Sequence, residues 1–197
     1  MQLIIVSGLI GSGKTTVSKL LKKKKFHYLN ADGMAKDLLK TNKEIKEKLL
    51  NAFGKSISLG KNLSIKKIKE KLLLSKKNKI IIDRIVHPIF FSHVNSLLNK
   101  MRKSSVVFEL PLIETSKNIS RSFKILTVDC SFNNRLERSL KNKKISKLEF
   151  TKLNKMQSNR SFYINNSDFI LSNNDTISTL KNKFEELYLR KLLIKMK

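Results

Sequence analysis

The chain alternates unbroken apolar runs with stretches in which apolar residues recur every three or four positions. Leu3–Val6 is an unbroken run, and Val17, Leu20 and Leu21 follow it at helical spacing. Unbroken β-branched runs are typical of strands buried on both faces of a parallel sheet, whereas the longer spacing predicts an amphipathic helix. The chain is therefore predicted to begin with a strand, a turn and a helix.

The same two patterns recur along the rest of the chain. Further strands are predicted over residues 26–30, 105–110, 123–129 and 168–171, and mostly helical structure over 33–88. Ser64 and Ser146 are predicted helix N-caps, the second with Glu149 in a capping box. A last helix is predicted through Ile177, Leu180, Phe184 and Leu187. Strands that alternate with helices predict an α/β fold with a doubly wound parallel sheet.

Composition limits the class of protein. With 197 residues, 40% of them apolar, the chain is long enough for one α/β core with small insertions. No apolar run approaches a membrane span, so no membrane association is expected. The single cysteine, Cys130, excludes an internal disulfide framework, is expected to be buried, and favours a cytoplasmic protein.

The formal net charge of +27 raises the question of a nucleic-acid partner. The excess is mostly lysine, it is spread along the chain, and tryptophan is absent. This distribution indicates a solvated surface that attracts anionic substrates rather than a localised binding patch. We therefore expect no specific nucleic-acid partner, and a monomer or a weak oligomer.

A glycine-rich segment separates the first predicted strand from the first predicted helix. Gly8–Thr15 fits the pattern G-x-x-x-x-G-K-[S/T] of a phosphate-binding P-loop. Lys14 is predicted to contact the β- and γ-phosphates, and the Thr15 hydroxyl to ligate Mg²⁺. The strand, loop and helix therefore predict a nucleoside triphosphate site. Its predicted contact residues are Gly11, Ser12, Gly13, Lys14, Thr15 and Thr16.

Three acidic residues follow apolar runs and are candidates for chemistry. Asp32, after the second predicted strand, is equally consistent with a general base for an attacking hydroxyl and with a helix N-cap. A ribose-binding carboxylate is disfavoured there by the P-loop lysine. Asp83, after Ile80–Ile82, and Glu109, after Val106–Phe108, both imitate the acid that supports Mg²⁺. Local pattern does not choose between these two.

His87–Pro88 is consistent either with contact to a ligand or with a junction between a loop and a helix. The residues alone favour the junction. The three histidines of the chain have no cysteine partners at zinc-site spacing, so no zinc site is predicted.

Several short motifs follow the P-loop in a fixed order. They are Ala31–Ala35 as A-D-x-x-A, Ala52–Gly54, His87–Ile89 as H-P-[LI], Pro111–Glu114, similar to P-L-L-x-E, and then Arg138, Gln157, Asp168 and Asn173. In this order, and over nearly the whole length, the chain resembles the dephospho-coenzyme A kinase family.

The resemblance implies ATP-dependent phosphorylation of the 3′-hydroxyl of dephospho-CoA, with Mg²⁺. It makes Asp32 the base that receives the hydroxyl proton. Because the family has a helix before H-P, it favours Glu109 over Asp83 as the acid that supports the metal ion. Further implied contacts are Arg138 with ATP, and Lys36, His87, Pro88 and Pro111 with the small-molecule substrate.

The resemblance also implies a division of the chain. A nucleotide-binding core is expected over 1–32, 88–132 and 161–197, and a helical CoA-binding insertion over 33–87. A helical lid over 133–160 is expected to close over ATP.

Three positions depart from the family pattern. Lys36 replaces an arginine, which keeps charge but loses bidentate phosphate recognition. Asn142 stands where a lid arginine is expected four residues after Arg138, and Tyr163 replaces a basic residue. Loss of the lid arginine removes charge stabilisation from the transferring group, so we expect an active but slowed enzyme. Lys141, Lys143 and Lys144 are candidate substitutes.

Other functions remain as alternatives at this point. A P-loop alone is equally consistent with a kinase for another small metabolite or nucleotide. The net charge leaves a nucleic-acid-associated NTPase, and the lid departures leave a non-catalytic binder of CoA precursors.

Overall fold

The structure is a computed structural model that describes residues 1–143 and 145–192. The described residues form two compact units. One consists of Met1–Asn30 and the described part of Asn99–Lys197, and the other is Ala31–Leu98.

The strands, in chain order, are β1 (Leu3–Ser7), β2 (His27–Asn30), β3 (Ser58–Leu59), β4 (Asn62–Leu63), β5 (Val106–Glu109), β6 (Lys124–Asp129) and β7 (Phe169–Ser172). The α-helices are α1 (Lys14–Lys23), α2 (Ala31–Thr41), α3 (Lys43–Phe53), α4 (Ile65–Leu74), α5 (Lys76–Lys100), α6 (Phe132–Lys143), α7 (Lys147–Lys155), α8 (Arg160–Asn165) and α9 (Ile177–Leu187). Shorter helical turns cover Gly54–Ile57, Ile113–Asn118 and Tyr188–Leu192.

The first unit is built on a five-stranded sheet in the order β2-β5-β1-β6-β7, with every neighbouring pair parallel. The chain fills one side of β1 with β2 and β5 and then crosses to the other side for β6 and β7. This change of direction makes the carboxyl end of β1 the switch point, where doubly wound sheets bind ligands. The predicted α/β fold and its parallel sheet are confirmed.

Burial explains why β1 reads as a continuous apolar run. All five of its residues are buried, because helices and loops cover both faces of the sheet. One face packs against α1 and α9. The buried cluster on that face is made of Ile4, Val6, Val17, Leu21, Phe26, Val107, Leu126, Val128, Phe169, Leu171, Leu180, Phe184 and Tyr188.

The two predicted N-caps are confirmed by hydrogen bonds. The hydroxyl of Ser64 accepts a hydrogen bond from the amide of Lys67 at 3.4 Å, at the start of α4. The hydroxyl of Ser146 accepts from the amide of Glu149 at 3.1 Å, at the start of α7. Each serine satisfies one of the amides that the first turn of a helix leaves without a partner.

The second unit contains α2, α3, α4 and most of α5, with β3 and β4 paired as a small antiparallel hairpin. The boundary expected at residue 87 falls inside α5, which has 25 residues. None of the helices within the described ranges is both long and apolar enough to cross a membrane.

The interpretation of His87–Pro88 as a junction is wrong, because both residues lie inside α5. A proline within a helix removes a backbone hydrogen bond and costs about 3 kcal/mol. Burial of Val86, Phe90 and Phe91 on either side of it offsets that cost.

The alternative interpretation of Ile80–Asp83 as a strand followed by a metal-supporting acid, which the family resemblance disfavoured, is wrong, since these residues are helical. The Asp83 carboxylate accepts a hydrogen bond from Nζ of Lys79 at 2.6 Å, and its other oxygen lies 3.5 Å from Nε2 of His87. Both partners are four residues away along the chain, which is the spacing of neighbours on one helix face. Asp83 therefore takes part in local ion pairing on α5.

The segment predicted as a lid, residues 133–160, contains most of α6 and all of α7, and it belongs to the first unit. Lys144, one of the three candidate substitutes for a lid arginine, lies outside the described residues, as does the side chain of Lys143.

Candidate active site

The P-loop connects the carboxyl end of β1 to the first turn of α1. Its glycines have positive φ angles, which place the backbone in left-handed conformations. Gly8 and Gly13 have φ angles of 140° and 101°. A Cβ on Gly8 would lie 2.5 Å from the carbonyl oxygen of Val128, and one on Gly13 would overlap Nδ2 of Asn173. That amide donates a hydrogen bond to the carbonyl of Ser12 at 2.7 Å. The loop therefore has space for glycine alone at these positions.

Replacing Gly13 with alanine is expected to destabilise the protein and to abolish the rise in Tm that ATP produces in the wild type. The added methyl group combines a backbone cost of about 1–2 kcal/mol with loss of the Asn173 hydrogen bond, worth about 1 kcal/mol. Gly60→Ala is the matched control, since Gly60 has a φ of 59° but no atom within 4 Å of its added Cβ. Thermal unfolding with and without ATP measures both effects. Equal losses in the two variants would show that the packing around Gly13 is unimportant.

The amino end of α1 differs from those of five other helices that the structure describes. Side-chain oxygens cap α3, α4, α7, α8 and α9. No side chain caps α1, and no acidic residue lies in its first turn. Uncapped amides and the positive end of a helix dipole together favour an anion such as a phosphate group.

Lys14, the first residue of α1, brings a positive charge to the same loop. Its side chain is buried, and Nζ donates hydrogen bonds to the carbonyls of Gly8 at 2.9 Å and Leu9 at 3.1 Å. These bonds hold the ammonium group over the loop rather than in solvent. The loop amides and this charge together form a cradle for phosphate oxygens.

A carboxylate stands beside the loop at the carboxyl end of β5. Glu109 is buried and lies opposite Val6 of β1 and Asn30 of β2 in the sheet register. One of its oxygens accepts a hydrogen bond from the Thr15 hydroxyl at 2.7 Å, and the other accepts from the Tyr28 hydroxyl at 2.5 Å. The structure therefore brings Thr15 and Glu109 together, as the predicted magnesium site requires.

The predicted base and three predicted substrate contacts, Lys36, His87 and Pro88, lie in the second unit, whereas the fourth contact, Pro111, lies in the first. Asp32 is an exposed residue in the first turn of α2, and Lys36 is exposed one turn later. Because α2 begins at Ala31, Asp32 is inside the helix and is not its N-cap. His87 packs edge-on against Phe91, with 5.8 Å between ring centroids. Burial lowers the pKa of His87 despite the opposing charge of Asp83, so this imidazole is neutral at pH 7.

Arg138 of α6 is tied to the loop that follows β7. Its Nη1 donates to the carbonyl of Asn173 at 2.8 Å and to Sγ of Cys130 at 3.4 Å, and its Nη2 donates to the carbonyl of Asp175 at 3.2 Å. Cys130 is buried and unpaired, as expected, and burial raises the pKa of its thiol. Asn142, on the same helix, is exposed.

Tyr163 is a packing residue in the first unit. It is buried, and its hydroxyl donates to the carbonyl of Pro111 at 2.8 Å and accepts from Nε2 of Gln157 at 3.3 Å. Burial, reinforced by the charge of Glu114, raises the pKa of Tyr163 and keeps the hydroxyl protonated. The side-chain oxygen of Gln157 accepts from the amide of Ile10 at 2.7 Å, so this group of contacts supports the P-loop.

The sequence interpretation missed Arg135, which anchors α6 against the P-loop. The guanidinium is buried and donates to the carbonyls of Cys130 at 3.2 Å and Ile10 at 3.3 Å, and to Oδ1 of Asn154 at 2.8 Å. It also lies over the rings of Phe132 and Phe150. An arginine in a polar helix carries no local signal of burial, because its partners are distant in sequence.

Comparison with known proteins shows which sequences and structures this chain is similar to. The sequence model of the dephospho-CoA kinase family matches residues 2–179. A dephospho-CoA kinase from Fusobacterium nucleatum is 32% identical over 94% of this chain and 96% of its own length. Among solved structures, TT1252 from Thermus thermophilus has a TM-score of 0.79 and a dephospho-CoA kinase from Campylobacter jejuni one of 0.69. Each is 20% identical and covers 96% of this chain, together with 97% and 96% of its own chain respectively.

The two structural likenesses show a shared fold, and the family match with the 32% identical relative carries the assignment. The match covers most of the chain and includes the whole P-loop and the carboxyl ends of the five parallel strands. This ATP-using P-loop kinase belongs to the dephospho-CoA kinase family.

Proposed function

We propose that the chain transfers the γ-phosphoryl group of ATP to the 3′-hydroxyl of dephospho-CoA, which gives CoA and ADP, the last step of coenzyme A synthesis. The observation that carries the proposal is a P-loop with every motif residue in place, in a chain whose family match spans residues 2–179. Phosphoryl transfer needs little covalent chemistry from the protein, so positioning and charge supply most of the rate enhancement.

The loop residues are proposed to hold the polyphosphate. The uncapped amides of α1 and the ammonium group of Lys14 bind the β- and γ-phosphate oxygens in the ground state. They bind more strongly as negative charge redistributes in the transition state, which lowers the barrier.

Mg²⁺ is proposed to bind at Thr15 and Glu109. Their oxygens are hard ligands 2.7 Å apart, and among the described residues no group of three or more acidic, histidine or cysteine side chains could hold a metal ion. This fits Mg²⁺, which commonly takes one or two protein ligands and completes its shell with water and substrate phosphates. When bound, the ion would be held by Thr15 and Glu109 and would neutralise negative charge on the transferred phosphoryl group.

Asp32 is proposed to accept the proton of the attacking hydroxyl. Its carboxylate is exposed and lies two residues after the carboxyl end of β2, the strand that carries Asn30 opposite Glu109. The helices of the second unit are proposed to bind dephospho-CoA through Lys36 and the side chains at His87 and Pro88, with Pro111 as a further contact. The neutral imidazole of His87 suits an uncharged hydrogen-bonding partner.

Residues 133–160 are proposed to act as the lid, with Arg138 at the nucleotide side. The guanidinium groups of Arg138 and Arg135 are held by carbonyl oxygens. Asn142 adds no positive charge to this segment, so we expect a slowed reaction. We further propose that the enzyme works in the cytoplasm as a monomer or weak oligomer, without a specific nucleic-acid partner.

An acceptor comparison tests the proposed function. Purified protein is incubated with ATP, MgCl₂ and dephospho-CoA, and CoA and ADP are measured together. Equal amounts of CoA and ADP are expected, with no ADP above background when AMP, adenosine or single-stranded DNA replaces dephospho-CoA. Transfer to AMP or adenosine would indicate another small-molecule kinase, and DNA-stimulated hydrolysis would indicate a nucleic-acid NTPase. Nucleotide binding without CoA would indicate a non-catalytic binder.

A further inference from the structure

Tyr28 occupies a position in the sheet that neither the P-loop motif nor the family resemblance singles out. It lies on β2, next to β5, and its register partner is Val107. Its ring packs against the buried cluster that α1 and α9 form with the sheet. Its hydroxyl lies 2.5 Å from an oxygen of Glu109, at the carboxyl end of β5.

Glu109 has hydrogen-bond donors on both oxygens. Thr15 donates to Oε1 and Tyr28 donates to Oε2, and only 5% of the Glu109 surface is exposed. Thr15 is itself a proposed metal ligand, so its hydrogen bond to Glu109 connects two groups of the proposed metal site. The Tyr28 hydroxyl comes from an edge strand outside that site, and its hydrogen bond independently holds the orientation of the Glu109 carboxylate.

Asn30 orients the Tyr28 hydroxyl. Its Nδ2 donates to the tyrosine oxygen at 3.1 Å, so that oxygen acts as an acceptor and its proton is directed to Glu109. The three side chains form a hydrogen-bond series from Asn30 to Tyr28 to Glu109. Bonds in such a series polarise one another in the same direction, which strengthens each of them.

The orientation of Glu109 matters because it is the single carboxylate among the proposed metal ligands. Mg²⁺ demands nearly ideal octahedral geometry. Mutation of a group that holds a metal ligand in place typically lowers metal affinity by about 10–100-fold. Given the proposed role of Glu109 as a metal ligand, on which this step rests, we propose that Tyr28 is a positioning residue. Its hydroxyl holds the Glu109 carboxylate in the orientation that binds Mg²⁺.

The test replaces Tyr28 with phenylalanine, which keeps the ring and removes the hydroxyl. Mn²⁺ serves as the probe, and its Kd for the ATP-bound protein is measured by electron paramagnetic resonance. We expect that Kd to rise about 10–100-fold. The affinity for ATP without metal and the KM for dephospho-CoA are expected to stay within about twofold, while kcat at low Mg²⁺ falls and recovers as Mg²⁺ is raised.

Tyr188→Phe is the matched control. Tyr188 belongs to the buried cluster against which Tyr28 packs, and it stacks on Phe184, with ring centroids 5.9 Å apart. Its variant is expected to change Tm to a similar extent and to leave the Mn²⁺ Kd unchanged. An equal change in the Mn²⁺ Kd of both variants would reduce Tyr28 to a packing residue and overturn the proposal.

A double variant separates this inference from the proposed function. In a Glu109→Gln background, Tyr28→Phe is expected to have no further effect on the Mn²⁺ Kd, because the hydroxyl acts through that carboxylate. A further loss would mean that Tyr28 acts elsewhere and would overturn the proposal. If wild-type protein made no CoA but showed these Mn²⁺ results, the proposed acceptor would fail while the role of Tyr28 stood.

Discussion

Asp32→Asn is expected to lower kcat for phosphorylation of dephospho-CoA by a factor of about 10²–10⁴, the usual contribution of a general base. Asparagine has nearly the same shape but cannot accept the hydroxyl proton. Asp32 is exposed in the first turn of α2, so the change disturbs no buried contact. Loss of its charge near the helix dipole costs about 0.3–1 kcal/mol, and the affinity for ATP is expected to stay within about twofold.

Asp37→Asn is the matched control, because Asp37 is a second exposed aspartate on α2 with no proposed role. Steady-state kinetics with both substrates, together with thermal unfolding, measure the comparison. We expect Asp37→Asn to retain wild-type kcat and KM. A fall in Tm of more than about 8 °C, or lost ATP binding, in Asp32→Asn would assign this carboxylate a structural role instead.

The sheet could be predicted from the sequence because its three central strands are buried on both faces. Each of the three central strands, β1, β5 and β6, coincides with a continuous or nearly continuous apolar run, and the P-loop marks where the sheet meets α1. Glu109 could also be predicted as an acid at the carboxyl end of a strand, because it directly follows the apolar run Val106–Phe108. These features depend on local pattern and on general rules for parallel sheets, so one sequence was sufficient.

α5 could not be predicted in the same way. Ile80–Ile82 is as apolar as a strand, and Pro88 normally ends a helix. The available signal was charge spacing, since Lys79, Asp83 and His87 are separated by four residues each and interact along the helix. Burial of the neighbouring aromatic residues then keeps the helix continuous through the proline.

The supporting contacts of the site had no local signal at all. α6 buries Arg135 and Ser139 and leaves Leu140 exposed, which is the reverse of what hydrophobicity predicts. The partners of Arg135 include the carbonyl of Ile10, and the partner of Tyr28 is Glu109, each far away along the chain. Side chains that act through such distant partners become visible only once the strands and helices are assembled.

Lys14→Met is expected to lower kcat/KM for ATP by a factor of about 10³. Methionine keeps an unbranched apolar stem of similar length and removes the ammonium group. In the wild type that group is buried and donates to the carbonyls of Gly8 and Leu9, so its charge is already in place when ATP arrives. A preorganised charge needs no rearrangement as the transition state forms, and this is why its loss affects kcat as well as binding.

The pattern of kinetic change distinguishes Lys14 from Asp32. Lys14→Met is expected to raise KM for ATP and to lower kcat, and to abolish the ATP-dependent rise in Tm, because the lysine is proposed to contact phosphate in both ground and transition states. Lys19→Met, an exposed lysine on the same helix, is the matched control and is expected to leave all three quantities unchanged. Equal losses in the two variants would mean that the net charge of +27, rather than a placed ammonium group, attracts the nucleotide. A loss that is confined to Lys14→Met and persists at 1 M salt in both kcat and KM would assign the effect to direct contact. Salt screens the general field of the protein much more than it screens a buried charge.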